Sequence, residues 1–268
     1  MPASHNFSAM GVGVLALLFS LCAWFASPGV ALQPELLKAQ QPDQPLVAPR
    51  PAITSDTSAA KQRRKLLTRM EAVWLEGNLT EAIALAKKVY QLEQQIYGSR
   101  SDEAAWRLRD LANYSLENNQ AAAAFQYANQ SLKIVNSLHQ PESWKTEDAL
   151  RFQQTLTAIS DLPLTKRMKF LNAERDFQNG LLKNDYRAAL EANRLRAGVL
   201  LELLGDRHLS VIEALLRSQE LLIVMNDPSS SVTQIQRLDQ LIPQVTKSPH
   251  PVHGYLHKVW ADQALYTG

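Results

Sequence analysis

The chain has 268 residues, 46% of them hydrophobic and 20% charged, with 28 basic and 26 acidic side chains for a formal net charge of +2. The two signs are interspersed, which excludes the broad basic field that releases counterions from a nucleic-acid backbone, so no nucleic-acid partner is expected. Ala, Leu and Gln are abundant and β-branched runs nearly absent, so the expected fold class is all-α.

Residues 1–31 carry no Lys, Arg, Asp or Glu, and the stretch from Gly11 to Ala26 is mostly apolar. That is short for a membrane span and suits the core of a signal peptide. Pro28 ends the run, and Gly29 and Ala31 fit a signal-peptidase site, so cleavage after Ala31 is the preferred reading. An uncleaved signal anchor is the other, because Val30–Leu32 extend the run. The expected location is therefore exported, periplasmic or secreted, or anchored by this segment, and a membrane partner is expected only if the segment stays. Cys22, the only cysteine, lies inside the run. A chain cleaved after Ala31 has no thiol, which excludes both a disulfide and a cysteine nucleophile.

Residues 32–59 hold prolines at 34, 42, 45, 49 and 51 with several Gln and no periodic apolar face. Such a stretch cannot bury enough to offset its ordering entropy and is expected to be a disordered linker. The remainder, 60–268, is expected to be one helical domain. Its first segment, "KQRRK" at 61–65, reads as the polar face of a helix; contact with anionic headgroups is the second reading if the linker were anchored.

Apolar spacing and turn residues place helices near 60–76, 79–97, 102–118, 120–138, 144–160, 165–183, 185–204, 208–226, 231–242 and 252–266. Leu66, Met70 and Val73 recur up to Gly77-Asn78, and after that turn Ala82, Ile83, Ala86, Val89 and Leu92 recur. Sliding the frame so that Asn119 takes the place of Gly77 puts Ala124-Phe125 at Ala82-Ile83 and Ala128 at Ala86. A further copy starts at Asn184-Asp185, with Ala189-Leu190, Val199, Leu203 and Gly205 in register. The stretch from Asn119 to Asn184 is longer than the first shift and leaves room for an extra helix near Trp144–Ile159, broken at Asp161-Leu162-Pro163.

These stretches, "GNLTEAIALA" running to "IYGSRSDEAAWRLRDLANY" and "NDYRAALEANRLRAGVLLELLGDRHLSVIEALL", resemble the tetratricopeptide repeat family in its long-period, kinesin-light-chain-like branch. The resemblance covers about residues 60–225. It implies helix-turn-helix units stacked into an α-solenoid, with the helices paired in order. Gly77, Ala82, Ala86, Leu108, Leu111, Ala112, Ala124, Ala128, Ala189 and Gly205 are then packing positions, the small ones letting antiparallel helices approach. Met70 and Phe177 stand where a small residue is usual, and Asn193 and Arg196 where alanine-like residues are expected.

The resemblance further implies a concave face lined by the first helix of each pair. On the helix at 102–118, Arg109, Asn113 and Glu117 fall at i, i+4 and i+8, a polar ridge able to donate to and accept from the backbone of an extended peptide. The same row is also an ordinary solvated helix face. The aromatic set Trp74, Tyr90, Tyr97, Trp106, Tyr114, Phe125 and Tyr127 reads as inter-repeat core before it reads as a ligand groove.

Catalytic signals are weak. His253 and His257 lie at i,i+4 with His250 nearby, but Gly254 occupies the place where a zinc protease carries Glu, so no metal site is expected. Phosphate-cradling loops and nucleophile elbows are absent as motifs. Asp102-Glu103 and Glu147-Asp148 stand at predicted helix starts, where carboxylates complement the helix dipole. No catalytic residue and no cofactor are expected. The expected function is an exported, non-catalytic scaffold for a protein or peptide ligand. The alternative is a regulatory or sensor module of an effector system, acting with a caspase-like protease; a zinc-dependent enzyme ranks below both. The apolar last helix, with Leu256, Val259, Trp260 and Leu265, leaves room for a homodimer at that end.

Overall fold

A computed structural model describes residues 57–227, 231–246 and 250–267. The expected signal segment and most of the expected linker lie outside these residues. Among the described residues there are ten helices and no strand: α1 Ser58–Leu75, α2 Leu79–Tyr97, α3 Asp102–Glu117, α4 Ala121–Leu138, α5 Trp144–Ser160, α6 Leu164–Leu182, α7 Tyr186–Leu204, α8 Leu209–Val224, α9 Val232–Val245 and α10 Pro251–Thr267. None of the described helices is long and apolar enough to cross a membrane. Neighbouring helices pack in series, a tetratricopeptide-like α-solenoid.

Local chemistry sets the helix ends. Thr57, Asn78, Ser101, Ser143 and Asp185 each cap a helix by accepting from a backbone N–H three residues on, which satisfies a donor the helix leaves open. Gly77, Asn119, Asn184 and Asn226 all have positive φ. Each is followed by a residue whose N–H returns to the carbonyl five back: Asn78 to Val73 at 3.0 Å, Gln120 to Ser115 at 2.7 Å, Asp185 to Gly180 at 2.8 Å and Asp227 to Leu222 at 2.9 Å. Glycine and asparagine tolerate this left-handed geometry best, so the same stop is built four times.

Those four turns define the pairs, and they are not the pairs expected from simple order. The units are α1–α2, α3–α4, α6–α7 and α8–α9, with α5 unpaired in the middle and α10 closing on α8 and α9. The spacing from Gly77 to Asn119 is the same as that from Asn184 to Asn226, so two regular double units flank one inserted helix. The fourth turn, Asn226-Asp227, repeats Asn184-Asp185 in sequence.

α5 lies against α4, α7 and α8, while α6 pairs with α7 and reaches back to α1. Along α6, Arg167 donates to Asn119 Oδ1 at 2.6 Å, Arg175 binds Glu117 and Asn179 Nδ2 donates to the Leu75 carbonyl at 3.4 Å. These anchors touch the turn ends of α3 and then α1, so α6 runs across the edge of the first two pairs instead of stacking beside them.

Three apolar clusters carry most of the core. Met70, Val73, Ala82, Ala86, Leu108 and Leu111 join the first two pairs. Ala112, Ala124, Ala128, Leu156, Phe170, Leu200 and Val211 join the halves through α5. Leu216, Ile235, Leu238, Ile242, Leu256 and Val259 close the C-terminal end. In that last cluster α9 continues through Pro243 to Val245, past the stop expected at 242. Ile242 is fully buried there, and its packing outweighs the one backbone bond that proline forfeits.

Candidate partner-binding surface

The ridge read from the sequence divides into three different environments. The Arg109 guanidinium lies 4.5 Å from the Trp106 ring and 5.1 Å from the Phe152 ring, and its Nη1 donates to Asp148 Oδ2 at 2.6 Å. It is 8% exposed and ties α3 to α5. Glu117 is 5% exposed; it accepts from Trp74 Nε1 at 2.8 Å and pairs with Arg175, which ties α3 to α1 and α6. Asn113, one turn from each, faces solvent. Two of the three polar side chains thus join this chain's own helices.

Ala82, Ala86, Leu108, Leu111, Ala112, Ala124, Ala128 and Ala189 are all at most 1% exposed, and Gly77 and Gly205 have the positive φ that favours glycine. Of the aromatic set, Trp74 stacks on Tyr114 at 5.8 Å, Tyr90 and Tyr127 pack on the same core, and Phe125 packs on the central one. Tyr97 lies under Arg63, and Trp106 keeps 37% of its surface exposed.

The polar residues that broke the pattern are accounted for by partners. Asn193 is fully buried; its Nδ2 donates to the Ala214 carbonyl at 2.7 Å and to Ser218 Oγ at 2.9 Å, and its Oδ1 accepts from Arg196 at 3.0 Å. Arg196 in turn pairs with Glu174. Burial works to raise the Glu174 pKa, but Arg196 and Arg217 outweigh it and hold the carboxyl below its ordinary value.

Next to this pair α8 presents Glu213 and Arg217, i and i+4 on one face and both half-buried. The Arg217 guanidinium stands 5.6 Å from the Phe177 ring. Among the described residues neither Glu213 nor Arg217 makes a close ion pair or side-chain hydrogen bond. Burial, and then Asp148, raise the Glu213 pKa against the pull of Arg217, Arg151 and Arg196. For Arg217 burial acts to lower the pKa, but Tyr255, Glu174, Glu213 and Glu220 outweigh it and hold the cation charged. Further along, Tyr255 donates to Glu220 at 2.5 Å, and burial, then Glu220, push the phenol well above its ordinary value. The wall formed by α5, α6 and α8 therefore carries charges of both signs, most of them held in pairs, with Glu213 and Arg217 half-buried and outside any direct pair among the described residues.

The histidines do not assemble. His250 Nδ1 accepts from Val252 N–H at 3.1 Å, its Nε2 lies 2.9 Å from Arg151 Nη2, and its ring meets Trp144 edge-on. His253 Nε2 pairs with Thr246 at 2.9 Å. Among the described residues no group of three or more His, Cys, Asp or Glu is placed to hold a metal ion. Of the carboxylate pairs, Asp102 takes Lys145 at 2.5 Å and His139 at 2.7 Å, and Asp148 takes Arg109.

Residues 71–137, from the last turn of α1 through α4, match the family model of the tetratricopeptide repeat. Comparison with curated proteins and with solved structures returned no match.

Proposed function

We propose that the chain is a non-catalytic scaffold that binds a segment of another protein or a peptide on the wall formed by α5, α6 and α8. The tetratricopeptide match over residues 71–137 supports a role in protein–protein interaction. The observation that carries the choice of wall is the Glu213–Arg217 pair, an acceptor and a donor that make no direct ion pair or side-chain hydrogen bond among the described residues. Together they complement a peptide unit, which offers one N–H and one C=O. Asn113 supplies a second, separate amide on α3.

The test is cross-linked recovery of partners from the native cells with the wild type and with Glu213→Ala/Arg217→Ala. A partner retained by the wild type and lost by the variant, at unchanged melting temperature, supports the wall. Equal recovery by both removes it.

We further propose that the protein works outside the cytoplasm, on the strength of the apolar run Gly11–Ala26 and the small residues before Leu32. Sequencing the N-terminus of the native protein tests this: a start at Leu32 means cleavage and a start at Met1 means an anchor. A regulatory role beside a caspase-like protease rests on the family resemblance alone. Self-association at α10 would use Leu265, 81% exposed, and light scattering of Leu265→Glu against the wild type tests it.

A further inference from the structure

In a repeat solenoid each helix pair is covered by the unit before it. Here α2 packs along α3 and α7 along α8, but the consecutive helices α5 and α6 do not pack along one another. α5 turns instead to α4, α7 and α8. The face of the α6–α7 pair that this order should cover is left, among the described residues, as a groove of about 590 Å³.

The sequence of that face differs from its counterparts. In register with the turns at Asn119, Asn184 and Asn226, the positions of Lys169 and Asp176 on α6 are held on α3 by Ala104 and Leu111 and on α8 by Val211 and Ser218. Those four are buried, whereas Lys169 and Asp176 are exposed. Ala173 stands where α3 has Leu108 and α8 has Leu215, which takes bulk out of the floor, and Ala188 and Ala192 of α7 keep it low.

Lys169, Asn172, Asp176, Asn179 and Lys183 follow one another at steps of three or four residues, so they form one polar line along α6, and Glu191 stands on the α7 side of the groove. Among the described residues Asp176 and Glu191 make no ion pair or side-chain hydrogen bond, and Arg175 beside Asp176 is turned to Glu117. Exposure by itself calls for polar side chains. It does not call for a hollow floor with an unpaired carboxylate on either side.

We infer that the α6–α7 groove is a second docking surface, which takes an extended segment of another protein carrying a Lys or Arg side chain. From Lys169 to Lys183 the line runs about 21 Å, room for about six extended residues. Asp176 at its middle and Glu191 on the opposite wall receive the cation through charge-assisted hydrogen bonds. Asn172 and Asn179 lie one turn to either side of Asp176. The Asn172 oxygen accepts from Arg175 at 3.4 Å and the Asn179 nitrogen donates to the Leu75 carbonyl at 3.4 Å. That leaves the amide nitrogen of one and the oxygen of the other to meet the C=O and N–H of the segment's backbone. A packed helix or a stacked second copy would need the buried side chains of α3 and α8, which α6 lacks.

The test follows the full chain by NMR with the blocked peptide Ser-Ala-Ser-Arg-Ser-Ala-Ser and its Glu-centred twin. The wild type binds the first and not the second, and Asp176→Asn/Glu191→Gln weakens that binding about 10-fold or more at an unchanged melting temperature. Glu213→Ala/Arg217→Ala, on the other wall, binds the peptide as the wild type does. The choice between the two peptides by the wild type stands by itself should a variant fold poorly. No binding of the Arg-centred peptide by the wild type, or equal binding of its twin, overturns the inference. So does full affinity in Asp176→Asn/Glu191→Gln, or loss of the peptide by a folded Glu213→Ala/Arg217→Ala alone. Light scattering that finds the wild type self-associated and Asp176→Asn/Glu191→Gln monomeric gives the groove to a second copy and overturns it too.

Discussion

Gly180 on α6 lies so close to Ala189 on α7 that a β-carbon on it would stand 2.8 Å from the Ala189 backbone nitrogen and 2.9 Å from its Cβ. The obstacle is backbone, which cannot swing aside, so the α6–α7 pair would have to move apart. Gly198, in the same pair, has open space at the corresponding point. Gly180→Ala is expected to destabilise the protein by about 1–3 kcal/mol through overpacking. Gly198→Ala gains helix propensity without a clash and is expected to stabilise by about 0.5–1 kcal/mol. Urea unfolding of the two variants should give midpoint shifts of opposite sign.

Glu93 is the charge most dependent on its partners. It is fully buried on α2 and takes Arg63 from α1 and Arg107 from α3, the latter at 3.3 Å from both Nε and Nη2. Burial works to lower the Arg107 pKa, but Asp110 and Glu93 outweigh it and keep the cation charged. Glu93→Ala takes from the buried Arg107 one of its two anions, the other being Asp110, and leaves Arg63 without its partner, and is expected to cost about 3–5 kcal/mol. The double change Glu93→Met/Arg107→Met removes both charges and should recover much of that loss. A double variant no more stable than Glu93→Ala would show that the network is not what the single change breaks.

How far the fold was legible follows from which residues repeat. The helix ends were readable because Gly77, Asn119 and Asn184 are residues that tolerate positive φ, and Ala82, Ala124 and Ala189 stand in register after them. Asn226-Asp227 carried the same signal at the same spacing after Asn184, but its helix begins among small polar residues and hides the pattern. Pairing across α5 was not readable, because Leu156 and Ile159 mark an apolar face without saying which helix covers it. The ridge on α3 shows the same limit: i,i+4 spacing puts Arg109, Asn113 and Glu117 on one face. Only tertiary contact with Asp148, Trp74 and Arg175 decides which of them still meets solvent.

His250 gives the protein an acid-sensitive joint. Burial, then the neighbouring Arg151, push its pKa down to about 4, with Asp148 opposing and His253 adding to the shift. The value lies below the ordinary 6.5, so on acidification the unfolded chain takes the proton first. The contribution to stability is therefore complete above about pH 6.5 and is lost as pH falls from there toward 4, up to about 3 kcal/mol in all. Glu213, raised by burial and Asp148, pulls the other way across part of this range, so the effect is read as wild type against His250→Asn. The stability advantage of the wild type is expected to shrink as pH falls from 7 to 4. A constant difference across that range would show that His250 does not titrate in the fold as described.

Arg109 and Arg217 should separate stability from binding. Arg109 is held between two rings and bound to Asp148, so Arg109→Ala removes a brace between α3 and α5. Its expected cost is about 2–4 kcal/mol and a lower melting temperature, whatever partner is present. Arg217 rests on Phe177 and makes no direct ion pair among the described residues, the acids Glu174, Glu213 and Glu220 acting on it from further off. Arg217→Ala is expected to change the melting temperature little and to weaken partner recovery. Phe177 is itself 2% exposed and stays packed against Leu221 and Leu222 when the cation is gone, which is why little stability is at stake. Thermal melts and partner recovery on the same two variants decide the matter. The reverse outcome, Arg217→Ala melting early and Arg109→Ala losing the partner at full stability, would move the binding face back to the α3 ridge.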